Sequence, residues 1–219
     1  MEQIKESIKD YLDSKSQYAL FINGEWGVGK TYFLQNEIIS KNNSKEKVFV
    51  YISLYGINDV LDIKKKLNFA ILSSISKKVK KNKKLINVGK SAKAFESLIT
   101  NFLPIGGLSY GIEELFSIIG ESQLNRDNKQ YILFVDDLER LGDNVKVSDC
   151  LGLISSDYME KLKCKVIFIA NEKEIKDQEE FNKIKEKTID KTLLFKPSSN
   201  EILVLVSNLR QLFVETRIN

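Results

Sequence analysis

The sequence predicts an α/β fold in three layers, a five-stranded parallel sheet with helices on both faces. Short apolar runs recur along the 219 residues, at 18–22, 47–54, 131–135, 165–170 and 192–195, separated by stretches with helical periodicity. The run at 131–135 is uninterrupted, the pattern of a strand buried on both faces. A glycine-rich loop stands between the first run and a helical stripe, as in a strand–loop–helix phosphate site. The length suits one sizeable domain, with little left for a second.

Residues 2–13 place Ile4, Ile8, Tyr11 and Leu12 at helical spacing. That helix either packs on the sheet or brings Tyr11 or Ile8 near a bound base. Tyr18 to Ile22 form the first strand, and apolar residues 33, 34 and 38 mark the helix after the glycine loop. Lys47 to Leu54 form the second strand, and Asn58 or Asp59 caps a long helix to about residue 80. Its tail, 77–84, carries six lysines in eight positions, either a solvated helix end or a contact for nucleic acid or anionic lipid. Residues 98–120 are the most apolar stretch, but Pro104, Gly106, Gly107, Glu113 and Glu114 interrupt it, which disfavours a membrane span. The third strand ends at Val135. A helix over 145–162, a fourth strand over 165–170, a helix over 173–188, a fifth strand over 192–195 and a helix over 199–214 complete the alternation.

Gly24-Glu25-Trp26-Gly27-Val28-Gly29-Lys30-Thr31 meets the pattern G-x-x-x-x-G-K-[ST] at every fixed position. Glycines let the loop curl so that successive N–H groups face inward as an anion nest, and the helix it opens adds its dipole. Lys30 is expected on the β- and γ-phosphates and Thr31 on Mg²⁺; with Tyr32 in the same turn, residues 24–32 are the expected nucleotide contacts. The third strand delivers Asp136-Asp137-Leu138-Glu139-Arg140 at its C-terminal end. Asp136 is expected to hold the metal through its water shell. Asp137, with Glu139 as the alternative, is expected to orient the attacking water. Asn171 ends the fourth strand, where it either bonds the water or γ-phosphate or caps the next helix.

The chain has no histidine, which excludes Ser-His-Asp triads and histidine metal sites within it. Cys150 and Cys164 are too few for a disulfide framework, pointing to a reducing, cytoplasmic setting with membrane association left open. Arginine occurs only at 126, 140, 210 and 217. Its near-absence between 142 and 209 argues against a kinase with an arginine-rich lid. A net charge of +4 is too small to argue nucleic-acid binding by itself.

The glycine loop, with its Gly-Glu-Trp-Gly-x-Gly-Lys-Thr wording, and Asp136-Asp-Leu-Glu-Arg140 together resemble the KAP family of P-loop NTPases, a group related to AAA+ and STAND ATPases. Glu139 stands where that family commonly has Asp. The resemblance implies a sheet order of 5-1-4-3-2, ATP with Mg²⁺, and conformational or assembly work, as a homo-oligomer or with further domains of a longer protein. It includes bacterial members that act in exclusion of phage. It divides the chain into an NTPase core at 1–197, interrupted by a helical insertion at about 78–120, and the start of a lid at 198–219. Arg210 is then the one internal candidate for a lid arginine, with a plain surface residue the favoured reading, and Arg140 either reaches across a subunit interface or pairs with a nearby acid. ATP-driven work and a slowly turning ATP-gated switch both fit, and Asp137 in the usual place of a catalytic glutamate keeps the second in view.

Overall fold

The computed structural model describes residues 1–41, 46–75, 129–198 and 201. The insertion at 78–120, the lysines of 77–84, the apolar stretch of 98–120 and Arg210 lie outside them. In chain order the described elements are α1 (Glu2–Asp13), β1 (Ala19–Asn23), α2 (Lys30–Phe33), β2 (Lys47–Ser53), α3 (Val60–Ile75), β3 (Gln130–Asp136), α4 (Val147–Leu153), β4 (Lys165–Ala170), α5 (Gln178–Thr188) and β5 (Ile189–Leu194).

All pairings are parallel. Traced from one edge, the strands run β2-β3-β4-β1-β5. This listing replaces the string 5-1-4-3-2 implied by the resemblance. The correction concerns the direction of counting, because that string starts from the opposite edge; β1 has β4 and β5 as its neighbours. β3 and β4 are buried along almost their whole length, as central parallel strands covered on both faces must be.

Side-chain alternation divides the core in two. Leu20, Ile22, Ile132, Phe134, Ile167 and Ile169 face α1 and the helix after the glycine loop, packing on Ile8, Tyr11, Phe33 and Leu34. Phe21, Val50, Ile52, Leu133, Val135 and Phe168 face α3, α4 and α5, packing on Ile63, Leu67, Leu151 and Phe181. Tyr11 stays in the sheet layer. Its hydroxyl donates to the carbonyl of Val166 at 2.9 Å and accepts from the Val166 N–H at 3.1 Å, tying α1 to β4. The possibility that it approaches a bound base is therefore set aside.

Several boundaries differ from expectation. α2 is a single α-turn that continues as a π-helical segment, Leu34–Ile39. The Asn36 amide donates to the Tyr32 carbonyl at 2.9 Å, competing for the acceptor that an α-ladder would give the Asn36 N–H, and Ser40 N–H reaches back five residues to Gln35. The helix expected over 145–162 likewise becomes α4 followed by a π-helical segment, Ile154–Lys161. After β4, a 3₁₀ turn (Glu172–Glu174) precedes α5, and Asp177 caps α5 by accepting from Glu180 N–H at 3.4 Å. β5 starts at Ile189 rather than at Thr192, because it extends backward along β1. At the far end, the Ser198 N–H donates to the Glu201 carboxylate at 2.8 Å and Ser198 Oγ accepts from the Glu201 N–H at 3.4 Å, the reciprocal pair of a helix start. The remainder of the helix expected over 199–214 falls beyond the described residues.

Candidate nucleotide site

The glycine loop leaves β1 beside the end of β4, where Gly24 N–H donates to the Ala170 carbonyl at 3.1 Å. Gly27 (φ 76°) and Gly29 (φ 91°) take left-handed backbone conformations that other residues rarely adopt, and Gly29 starts α2 from that state. Gly24 is required for a different reason: a β-carbon there would lie 2.7 Å from the Phe195 carbonyl oxygen. Phe195 in turn packs its ring on Phe33, with centroids 5.2 Å apart, so loop, helix and the end of β5 brace one another.

Lys30 is buried, and its ammonium donates to the carbonyls of Gly24 at 2.5 Å and Glu25 at 2.9 Å. Burial draws its pKa below the ordinary lysine value, opposed by the charges of Glu139 first and then Asp136 and Asp137. Thr31, at the start of α2, donates from Oγ1 to Asp136 Oδ2 at 2.7 Å, joining positions 105 residues apart in sequence. Asp136 is only 3% exposed. Its Oδ2 also accepts from the Tyr51 hydroxyl at 2.7 Å, and its Oδ1 from the Asp137 N–H at 2.8 Å. Burial raises its pKa above the ordinary carboxylate value, while the bonds from Tyr51 and Thr31 act the other way.

Asp137 turns the chain sharply (φ 62°) into a 3₁₀ turn, Leu138–Arg140. Its Oδ2 accepts from Ser53 Oγ at 2.5 Å, and its Oδ1 lies 3.6 Å from the Arg140 guanidinium. Arg140 lies over the Tyr55 ring, 4.0 Å from its centroid, and within this chain its acidic neighbour is Asp137. Glu139 folds back to the glycine loop, where Oε1 accepts from the Trp26 indole N–H at 2.6 Å.

Asn171 is buried at the end of β4, one residue beyond the carbonyl that holds Gly24. Its backbone carbonyl starts the 3₁₀ turn by accepting from Glu174 N–H at 3.0 Å, and its side chain makes no capping bond. The Glu25 carboxylate is exposed and paired with Lys173 at 3.2 Å. Val28 packs at the margin of the core, and Tyr32 is half-buried with its carbonyl held by Asn36.

Tyr51, Ser53 and Lys66 were not anticipated. Tyr51 and Ser53 alternate onto one face of β2, and the pairing of Ser53 with Asp136 brings their hydroxyls to the two aspartates. Lys66, on α3, donates to the Ser53 carbonyl at 2.5 Å. The spacing of Tyr51 and Ser53 within an otherwise apolar strand was a usable signal. The register of β2 on β3, which sets Ser53 beside Asp136, was not. Among the described residues no group of three or more His, Cys, Asp and Glu side chains could hold a metal ion by itself, and none of their helices is long and apolar enough to cross a membrane.

A parallel sheet with a glycine loop closing on Lys-Thr, and an aspartate from the end of β3, one strand beyond β4, bonded to that threonine, defines a P-loop NTPase domain. The model of the KAP family P-loop domain matches residues 1–212, and the chain belongs to that family. No curated protein matches the sequence. Among solved structures, the ORC2 protein of Aeropyrum pernix in its ADP form is similar over 95% of this chain and 50% of that one, with 11% identity and a TM-score of 0.51. The Drosophila ORC bound to GC-rich DNA and Cdc6 is similar over 94% of this chain and 30% of that one, with 7% identity and the same TM-score of 0.51. At these identities the likeness is one of fold, and the chain spans half or less of the length of either structure.

Proposed function

We propose that this domain binds ATP with Mg²⁺ at the glycine loop and hydrolyses it, using the cycle to change its shape or its state of assembly. The observation that carries the reading is the 2.7 Å bond between Thr31 and Asp136, which places a hydroxyl and a carboxylate side by side at the mouth of the loop. Both are hard oxygen donors of the kind Mg²⁺ takes alongside water and phosphate. Mg²⁺, when bound, neutralises charge on the β- and γ-phosphates. Thr31 and Asp136 would hold it, the latter through water, and Tyr51 would keep the aspartate in place.

Lys30 is satisfied by loop carbonyls that the β- and γ-phosphates would displace as the stronger acceptors. Asn171, buried at the end of β4, would bond the attacking water or the γ-phosphate. Adenine as the base is supported by the family and by the ADP form of the ORC2 relative. A second copy of the chain, or further domains of a longer protein, would be the natural partner for assembly work. The resemblance supports a proposed role in phage defence, and the composition a proposed cytoplasmic setting with membrane association left open.

The test uses Trp26, the only tryptophan in the chain. Its fluorescence is followed while ATP·Mg²⁺ or GTP·Mg²⁺ is added, and phosphate release is assayed on the same samples beside Lys30→Ala. A saturable change with ATP that the variant lacks, together with phosphate release, is the expected result. No fluorescence change and no calorimetric heat with either nucleotide would overturn the proposal.

One observation favours a second reading, the ATP-gated switch with little turnover. Asp137 Oδ2 is held by Ser53 and its Oδ1 faces the Arg140 guanidinium at 3.6 Å, so its charge is shared with a cation before any water arrives. Nucleotide binding with oligomerisation by light scattering, and no phosphate release, would select it.

A further inference from the structure

The carboxylate oxygens around the glycine loop are unequally committed. Asp136 Oδ1 and Oδ2 accept from Asp137 N–H and from Thr31 and Tyr51. Asp137 Oδ2 accepts from Ser53, and its Oδ1 faces Arg140. Glu139 Oε1 accepts from Trp26. Glu139 Oε2 is left: it is buried and has no hydrogen-bond partner among the described residues. A buried carboxylate oxygen without a donor is costly, and such an atom in a native site asks for a group that is absent. The other oxygen of the same carboxylate is held by Trp26, inside the glycine loop, so this free lone pair belongs to the phosphate site and not to a distant surface.

Resting on the proposal that the site hydrolyses ATP, we infer that Glu139, not Asp137, is the general base, and that the Trp26 indole N–H is the positioning group that aims its free oxygen at the attacking water. The step balances simply. Glu139 Oε2 takes a proton from water as the water oxygen bonds to the γ-phosphorus. The bond from that phosphorus to the β–γ bridging oxygen breaks, and its electron pair stays on ADP. The proton then leaves Glu139 for the released phosphate or for solvent. Trp26 suits the positioning role because it is carried by the loop that wraps the phosphates. Nucleotide and base are thereby aligned by one rigid segment, although Glu139 lies 113 residues further on.

The test compares wild type with Glu139→Gln, Asp137→Asn, Trp26→Phe and the double variant of 26 and 139, each in the 219-residue chain and checked for folding by its melting curve. Calorimetry reads ATP·Mg²⁺ binding, and single-turnover phosphate release reads chemistry. Glu139→Gln is expected to bind within a few-fold of wild type and to lose roughly 100-fold or more in rate, the scale of a general base. Asp137→Asn is expected to lose less than about 10-fold. Trp26→Phe, which keeps a ring but no donor, is expected to lose about 10-fold in rate with binding retained. The double variant should then be no slower than Glu139→Gln alone, a non-additivity that loss of packing would not produce.

In Glu139→Gln the Trp26 emission should also shift, since its charged acceptor is gone. Asp137→Asn inactive with Glu139→Gln active would overturn the assignment of the base. Additive losses at 26 and 139 would overturn the positioning role. Wild type that binds ATP and releases no phosphate would instead overturn the hydrolysis reading on which both rest.

Discussion

Asp136 combines two properties that oppose each other. It is held out of water, which penalises its charge, and it stands where a divalent cation needs that charge. Its folded pKa lies above the unfolded value because of burial, so the folded state binds the proton more readily. The contribution is complete below the unfolded pKa and is lost as pH rises through the folded one. Near neutral pH the ionised aspartate is therefore a burden on the fold. Asp136→Asn, whose amide can be accommodated by turning the Thr31 and Tyr51 hydroxyls to accept, is expected to raise the melting temperature by a few degrees at pH 7.5 while abolishing Mg²⁺-dependent ATP binding. Melting curves with and without ATP·Mg²⁺ check both halves. Tyr51→Phe works in the other direction on the same group. It removes a hydrogen bond that holds the Asp136 pKa down, so the acid limit of ATP·Mg²⁺ binding should move to higher pH, with a larger loss of affinity at pH 6 than at pH 8. Equal losses at both values would show that Tyr51 does not act through this carboxylate.

Elements matter here through their ends. The glycine loop is shaped by its own glycines, but it is seated by β5, since Gly24 leaves no space between itself and the Phe195 carbonyl. Gly24→Ala presses on backbone that cannot swing aside, and overpacking of this kind costs about 1–3 kcal/mol. It should lower both the melting temperature and the affinity for ATP, although it removes no charge and no hydrogen bond. A variant with a normal melting curve and normal affinity would mean that the contact yields. The loop, the third strand and the alternation of elements were legible in the sequence because each is a local pattern. Gly24 to Thr31 is eight contiguous residues, and 131–136 is one apolar run with a carboxylate at its end. The π-helical segments were not legible, because apolar spacing records which side is buried and not whether the ladder reaches back four residues or five. The partners of Asp137, Tyr51 and Trp26 were not legible either, because strand register and a tight turn at Asp137 bring them together across long stretches of chain.

The whole molecule is a sheet whose loops meet on one edge of the layer, with the Thr31–Asp136 bond spanning from β1 to β3 over the intervening β4. A ligand taken by both ends of that bond should stabilise the entire fold and not the loop alone. At 100 times its dissociation constant, ATP·Mg²⁺ would add about 2.7 kcal/mol, which for a domain of this size is a rise of about 5–10 °C in melting temperature. The rise should be absent in Lys30→Ala. A rise of the same size in that variant would mean that nucleotide binds elsewhere.

The order of the strands also governs when this site comes into existence. β1 leaves the ribosome before every other strand of the sheet, yet its hydrogen-bonded neighbours are β4, ending at Ala170, and β5, ending at Leu194. Until those arrive, the loop that follows β1 lacks both the carbonyl that holds Gly24 and the phenylalanine that braces α2. A growing chain that has not yet exposed residue 195 would have the motif in full and the site not at all, so nucleotide meets this protein only after synthesis has passed that point.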